Sequence, residues 1–204
     1  LPSVSIPNSV KSIGDEAFKY CESLTDISIP NSVTSMGKSV FEYCEGLTSV
    51  SIPDSVTSIG KRAFEECKSL ENVIISNGVT SIGEWAFYGC KLLKSISIPD
   101  SVTSIGESAF AYCKSLTSVN IQNSNTNIGQ CAFYWCDNLT DITIPRGMEH
   151  AFKCESIKKI KYTGASYSDF IIESGTLKKF TGECGKAAVP NVVIPKGVTR
   201  IGDA

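Results

Sequence analysis

The chain has 204 residues, 42% hydrophobic and 20% charged, a composition that excludes intrinsic disorder. Nineteen basic against 21 acidic residues give a net charge of −2, far from the basic footprint that holds a phosphate backbone, so nucleic acid is not an expected partner. No 18-residue apolar run is present, so no membrane insertion of this segment is expected.

The chain opens on Leu1 with neither a methionine nor a signal-type hydrophobic region, which reads as a mature form or a slice of a longer protein. A repeat follows at once. Cys21, Cys44, Cys67, Cys90, Cys113 and Cys136 succeed one another every 23 residues, and isoleucine, glycine and phenylalanine columns keep the same step. The unit reads L-x-x-I-x-I-P-[ND]-[SG]-V-x-x-I-G-x-x-A-F-x-x-C-x-x, and one period is one coil of a solenoid. Within a coil, Val50 and Ile52 alternate with Ser49 and Ser51, the period-two pattern of a half-buried strand. Pro53 with Asp54 and Ser55 makes a turn, and Val56 and Ile59 point inward again. Gly60 is assigned a conformation that a side chain would resist. Ala63, Phe64 and Cys67 then lie at helical spacing, which predicts a short helix or 3₁₀ turn. Seven strands, centred near Val4, Ile27, Val50, Val73, Ile96, Val119 and Ile142, are expected to pair in parallel as one sheet.

The fourth coil carries Ser76 for proline and Ile74 at the polar strand site, and the sixth turn reads Gln122, Asn123, Ser124, Asn125. Both coils are expected to be looser. After Ile144 five residues are missing before Cys154, Ile157 and Ile160 recover the register, so residues 1–160 are expected to form seven coils, the last compressed. Residues 161–190 leave the repeat as an irregular insert, where Phe170 to Phe180 reads as a β-hairpin and a bend is expected. Residues 191–204 re-enter phase and stop mid-coil, so this reads as the start of a further array without its cap.

Cys21, Cys44, Cys67, Cys90, Cys113, Cys136 and Cys154 form a column, not paired C-x-x-C ligands, and parallel Cβ vectors suit neither zinc nor disulfides. They are expected to be buried thiols, with Cys131 and Cys184 the exposed ones. His150 sits in a variable column and is no nucleophile or metal site. No phosphate loop or nucleophile elbow occurs, and the carboxylates do not converge, so neither an enzyme nor a cofactor is expected. Candidate binding residues are of two kinds. Tyr20, Tyr43, Tyr112 and Trp135 share the column before the cysteine, with Tyr88 and Tyr134 beside it. They form either a half-exposed shield for the Phe column or an adhesive ridge. Lys158, Lys159 and Lys161 make the one basic cluster, either a solvated face or a contact for an acidic ligand. The outward strand residues Ser28, Ser51, Ser97, Asn120 and Thr143 are small and uncharged, and Asn138-Leu139-Thr140 is a weak sequon.

The C-x-x-L-x-x-I-x-I-P and V-x-x-I-G-x-x-A-F blocks resemble the BspA-like leucine-rich repeat surface proteins of host-associated bacteria and some protists. The resemblance covers residues 1 to about 160 and again 192–204. It implies an α/β repeat solenoid, a right-handed superhelix of 23-residue coils with a parallel sheet and short helical turns. It also implies an extracellular or cell-surface location, adhesion to a host protein, matrix protein or another cell, and no catalytic residues. The expected function is a non-enzymatic scaffold for protein or glycan recognition, with a purely structural spacer as the alternative.

Overall fold

The computed structural model describes residues 2–123 and 125–144, with the strand segments 159–162, 170–173, 176–180 and 200–201. Coil by coil the strands are β1 (Ser3–Ser5) and β2 (Ser12–Ile13), β3 (Asp26–Ser28) and β4 (Ser35–Met36), β5 (Ser49–Ile52) and β6 (Ser58–Ile59), β7 (Asn72–Ile75) and β8 (Ser81–Ile82), β9 (Ser95–Ile98) and β10 (Ser104–Ile105), then β11 (Ser118–Ile121) and β12 (Asn127–Ile128). Beyond these six coils lie β13 (Asp141–Ile144), β14 (Lys159–Tyr162), β15 (Phe170–Glu173), β16 (Thr176–Phe180) and β17 (Arg200–Ile201).

Because the period is constant, each column meets itself one turn later. Val50 lies opposite Val73 and Ile52 opposite Ile75, and Val119 lies opposite Ile96. The longer strands pair in parallel on one side as β1–β3–β5–β7 and as β9–β11–β13, which β14 extends. The two-residue strands form a second side as β2–β4 and β6–β8–β10–β12. The pairing is parallel as expected, but the single seven-stranded sheet is corrected to two, with the ladder interrupted between β7 and β9. Proline accounts for one rung and not for the whole difference, since β3 before Pro30 and β13 before Pro145 still make three ladder pairs each. Ser76 and Gln122, which replace the proline, donate their N–H groups to Ile52 O at 3.2 Å and Ile98 O at 3.1 Å, and their coils pair along the full length of β5–β7 and β9–β11. Pro53 and Pro99 lack that donor. β5 meets β3 only at Asp26–Ser49, and β9 makes no ladder pair with β7. The fourth and sixth coils thus gain a rung where a looser coil was expected. In the sixth, Thr126 takes the buried valine position, its hydroxyl donating to Val102 O at 2.7 Å.

The third side contains no helix among the described residues, which corrects the expected helical turns. In the third coil the N–H groups of Ala63, Glu65 and Cys67 bond within the coil, to Gly60, Arg62 and Phe64 O. Those of Arg62, Phe64 and Glu66 bond forward to Glu84, Ala86 and Tyr88 O at 2.9, 2.7 and 2.7 Å. Positive φ at Arg62 (58°) and Glu66 (55°) falls on the third residue of a turn, the type II pattern. A helix would keep those donors to itself, and its diameter of about 10–12 Å would not stack at a strand-like rise of about 4.8 Å. The rise is the same inside: Phe18, Phe41, Phe64, Phe87, Phe110 and Phe133 stack face to face with centroids 5.1–5.3 Å apart.

The core is one continuous column set of leucine, valine, isoleucine, alanine, phenylalanine and cysteine. Each fully buried large side chain contributes roughly 1.5–3 kcal/mol, and it is the neighbouring coil that covers it. The glycine column serves that close approach. A Cβ on Gly83 would lie 2.7 Å from Lys61 N and 2.8 Å from Gly60 C, and φ there is not positive, so proximity rather than a special conformation selects glycine.

β14 extends the sheet in parallel with Asp141 opposite Lys159, a step of 18 residues. β15 pairs antiparallel with β14 and β16 antiparallel with β15, Phe170 lying opposite Phe180, so this hairpin continues the sheet, and β17 pairs in parallel with β16. The expected turn of the compressed coil, with His150 and Cys154, and the link through Cys184 lie outside the described residues.

Candidate binding surfaces

The turn side presents three outward columns. One is Glu16, Ser39, Arg62, Trp85, Ser108 and Cys131, the second Lys19, Glu42, Glu65, Tyr88, Ala111 and Tyr134, and the third Tyr20, Tyr43, Glu66, Gly89, Tyr112 and Trp135. Every residue of the first and third columns has positive φ, from 52° at Ser108 to 71° at Gly89. Holding Tyr43, Tyr112 and Trp135 there costs about 1–2 kcal/mol per residue, a strain that the inter-coil ladder sustains. The aromatic residues named from the sequence come together in two groups. Tyr20 stacks on Tyr43 at 5.1 Å. Tyr112 meets Tyr88 at 5.1 Å, Trp135 at 5.2 Å and Tyr134 edge-on at 6.1 Å. Glu66 and Gly89 separate the groups. Tyr20 and Trp135 remain exposed, 60% and 45%, while Tyr43, Tyr88, Tyr112 and Tyr134 are half-buried.

The first three coils carry charge in the same place. Glu42 and Glu65 are buried beside the Phe column and pair with Lys19 at 3.2 Å and Arg62 at 3.3 Å. Burial, only partly offset by Arg62, holds the Glu65 carboxyl above its ordinary value, and the bond to Glu42 raises that of Lys19. Arg62 Cζ also lies 4.2 Å over the Trp85 ring. Sequence reading missed these carboxylates, although their column, next to phenylalanine, was visible. Further ion pairs step from coil to coil, Lys61–Glu84 at 2.8 Å, Lys68–Glu45 at 2.5 Å and Lys94–Glu71 at 2.6 Å.

The thiol column faces inward. Cys44, Cys67, Cys90, Cys113 and Cys136 are buried, and each donates Sγ–H to a phenylalanine carbonyl 26 residues earlier, at 3.0–3.3 Å. Burial pushes Cys44 up to about 12 and Cys67 and Cys90 well above the ordinary value. Cys21 is exposed, a correction to the expected burial. Cys131 is half-buried.

On the strand side Ser28, Ser51, Ser97 and Asn120 are exposed, and Ile74, at 63%, is the large apolar exception. Lys159 and Lys161 fall in β14 opposite Asp141 and Thr143, apart from the aromatic residues in sequence, and Lys158 lies outside the described residues. Asn138 Nδ2 donates to Lys114 O at 2.8 Å, which occupies the sequon's amide. Among the described residues no group of three or more His, Cys, Asp or Glu is arranged to hold a metal, and no helix is long and apolar enough to cross a membrane.

Among curated proteins none matches this chain in sequence. Several solved structures resemble it, three of which follow. A leucine-rich repeat protein from Bacteroides ovatus has 26% identity and a TM-score of 0.50 over 80% of this chain and 54% of that one. The Treponema pallidum (T. pallidum) leucine-rich repeat protein has 23% identity and a TM-score of 0.51 over 79% and 73%. The pneumococcal vaccine antigen PcpA has 20% identity and a TM-score of 0.55 over 80% and 51%. The chain thus spans about half the length of the first and third of these relatives, and the last two similarities speak to fold alone. The sequence profile of the BspA type leucine-rich repeat region matches residues 1–96 and 86–204, with six copies. The chain therefore belongs to the BspA-type leucine-rich repeat family, as a parallel β-solenoid scaffold.

Proposed function

We propose that the chain is a non-enzymatic recognition scaffold, secreted or displayed at a cell surface, which binds a protein partner or its glycan through the turn side. The observation that carries this reading is the cluster of Tyr88, Tyr112, Tyr134 and Trp135. Neighbouring rings in it lie 5.1–6.1 Å apart, Tyr88 joining through Tyr112, and Trp135 is 45% exposed. Tyrosine and tryptophan dominate interface energetics because each offers a large rigid surface with a polar tip. Resemblance to the family's surface proteins supports that location. Residues 1–160 are the recognition array in this reading, 161–190 a joint carrying a hairpin, and 191–204 the start of a further array, with Lys158, Lys159 and Lys161 a secondary contact for acidic groups. The coil-to-coil ion pairs and the Phe stack favour a second reading, a rigid spacer that binds nothing.

The test is solid-phase binding to a panel of purified matrix proteins. A Tyr112→Ala/Trp135→Ala double variant is expected to lose about tenfold or more in affinity for the retained protein. A Ser97→Glu/Asn120→Glu variant on the strand side should keep it. Retention of no member by the wild-type chain favours the spacer.

A further inference from the structure

The third turn-side column is interrupted where Gly89 contributes no side chain between Glu66 and Tyr112. Glu66 leans into the gap, its Oε1 occupying the space that a Gly89 side chain would need. That carboxylate forms two long ion pairs, with Lys91 at 3.7 Å and Lys68 at 4.0 Å, and the Lys91 side chain is 45% exposed and free to give way to another cation. Across the notch stand the Tyr88–Tyr112 pair, tilted by 49°, and Trp135 against Tyr112 at 39°. The notch therefore has an acid on one wall and aromatic rings on the other.

Resting on the reading of the turn side as a recognition surface, we infer that this notch receives a cationic side chain of a protein partner, an arginine guanidinium before a lysine ammonium. The π-faces of the rings carry negative potential, and a nearby carboxylate adds to it. Glu65 and Glu66 are felt at Tyr88, whose hydroxyl is held above its ordinary value by burial first, then by Tyr112 and these carboxylates. The chain already seats one such cation on this side. Arg62 lies 4.2 Å over Trp85 while its Nη1 reaches Glu65 at 3.3 Å, a guanidinium between an indole and a carboxylate. Around the notch the second and third columns carry the same two chemical elements with no arginine of the chain between them. Glu65 is buried against Arg62 and Glu66 is shared with Lys68 and Lys91, so it is the negative ring faces beside Glu66 that favour a cation over an anion. The rings tilt by 39° to 81°, so they enclose a compact group rather than forming a flat platform for a sugar. Arginine is preferred over lysine because its planar guanidinium stacks on a ring and forks onto a carboxylate at once.

The experiment uses the whole chain and four fluorescein-labelled peptides of equal length, Gly/Ser backgrounds bearing three Arg, three Lys, three Gln or three Glu. Anisotropy is read at low and physiological ionic strength. The Arg peptide is expected to bind tightest, the Lys peptide less, and the Gln and Glu peptides least. Glu66→Gln and Tyr112→Leu, each measured on protein that circular dichroism shows to be folded, are expected to weaken the Arg peptide about five- to tenfold, in the range of one desolvated cation–π or charge contact. Glu22→Gln, the same charge change in the first coil, should leave it unchanged. An Arg peptide no tighter than the Gln peptide, or equal losses from Glu66→Gln and Glu22→Gln, overturns the inference. If the peptides fail while the Tyr112→Ala/Trp135→Ala variant still loses its matrix protein, the cation site falls and the recognition surface stands.

Discussion

Replacing Gly83 by alanine adds one methyl group at a corner where the third and fourth coils approach closely. The new Cβ would sit 2.7 Å from Lys61 N, 2.8 Å from Gly60 C and 2.9 Å from Gly60 O, and all three are backbone atoms that cannot rotate away. Restoring ordinary contact requires the coils to part locally by about 0.5–1 Å, the gap at which packing attraction is already partly forfeited. The rungs beside it, Gly83 N–H to Ile59 O at 2.8 Å and Arg62 N–H to Glu84 O at 2.9 Å, would stretch with the separation. Overpacking costs about 1–3 kcal/mol and each weakened hydrogen bond up to about 1 kcal/mol more, so a loss of about 2–4 kcal/mol is expected. Gly14 is the internal control. It occupies the same column, yet a Cβ there meets nothing within 4 Å, and Gly14→Ala should be neutral or gain up to about 1 kcal/mol by restricting the unfolded chain. Urea titration followed by circular dichroism separates the two variants. Equal effects at Gly83 and Gly14, or a Gly83→Ala loss below about 0.5 kcal/mol, would refute the reasoning that proximity selects glycine here.

Phe64 is fully buried and stacked between Phe41 at 5.2 Å and Phe87 at 5.1 Å, so Phe64→Ala should cost about 3–5 kcal/mol in the same titration. Under native alkylation near neutral pH, Cys21 and Cys131 should label first, while Cys44, pushed up to about 12 by burial, and Cys67, buried deeper, stay protected; early labelling of Cys67 would contradict the inward column. Because the folded Glu65 carboxyl titrates above its ordinary 4.5, wild-type stability should fall as pH rises from 4.5 through that raised value. Glu65→Gln should therefore stabilise at neutral pH, with the gain vanishing below that window; a gain that persists in acid would assign the effect to something other than the charge.

Period and inward set were both legible in the sequence because a solenoid repeats its contacts as it repeats its residues. Val50 opposite Val73 follows from a 23-residue step alone. The turn side was misread because Ala63, Phe64 and Cys67 suit a helical face and a chain of type II turns equally. What separates them is the destination of alternate N–H groups in the next coil, a long-range fact. Proline was read as a turn signal at the strand end, so the extra rung that Ser76 and Gln122 donate in its place was not anticipated. Glycine was credited with conformational freedom where the neighbouring backbone leaves no room. The aromatic column was legible as a column. Its pairing with charge was not, since Arg62 reaches Trp85 one coil away and Glu42 lies beside the Phe column with Lys19.

Hydrogen–deuterium exchange of the chain, alone and saturated with the matrix protein it retains, reads the recognition surface directly. The turn segments around 85–90, 108–113 and 131–136, which hold Trp85, Tyr88, Tyr112, Tyr134 and Trp135, are expected to gain protection while β9 and β11 do not change. Protection confined to the strand side, or none in either place at saturation, would contradict a turn-side recognition scaffold.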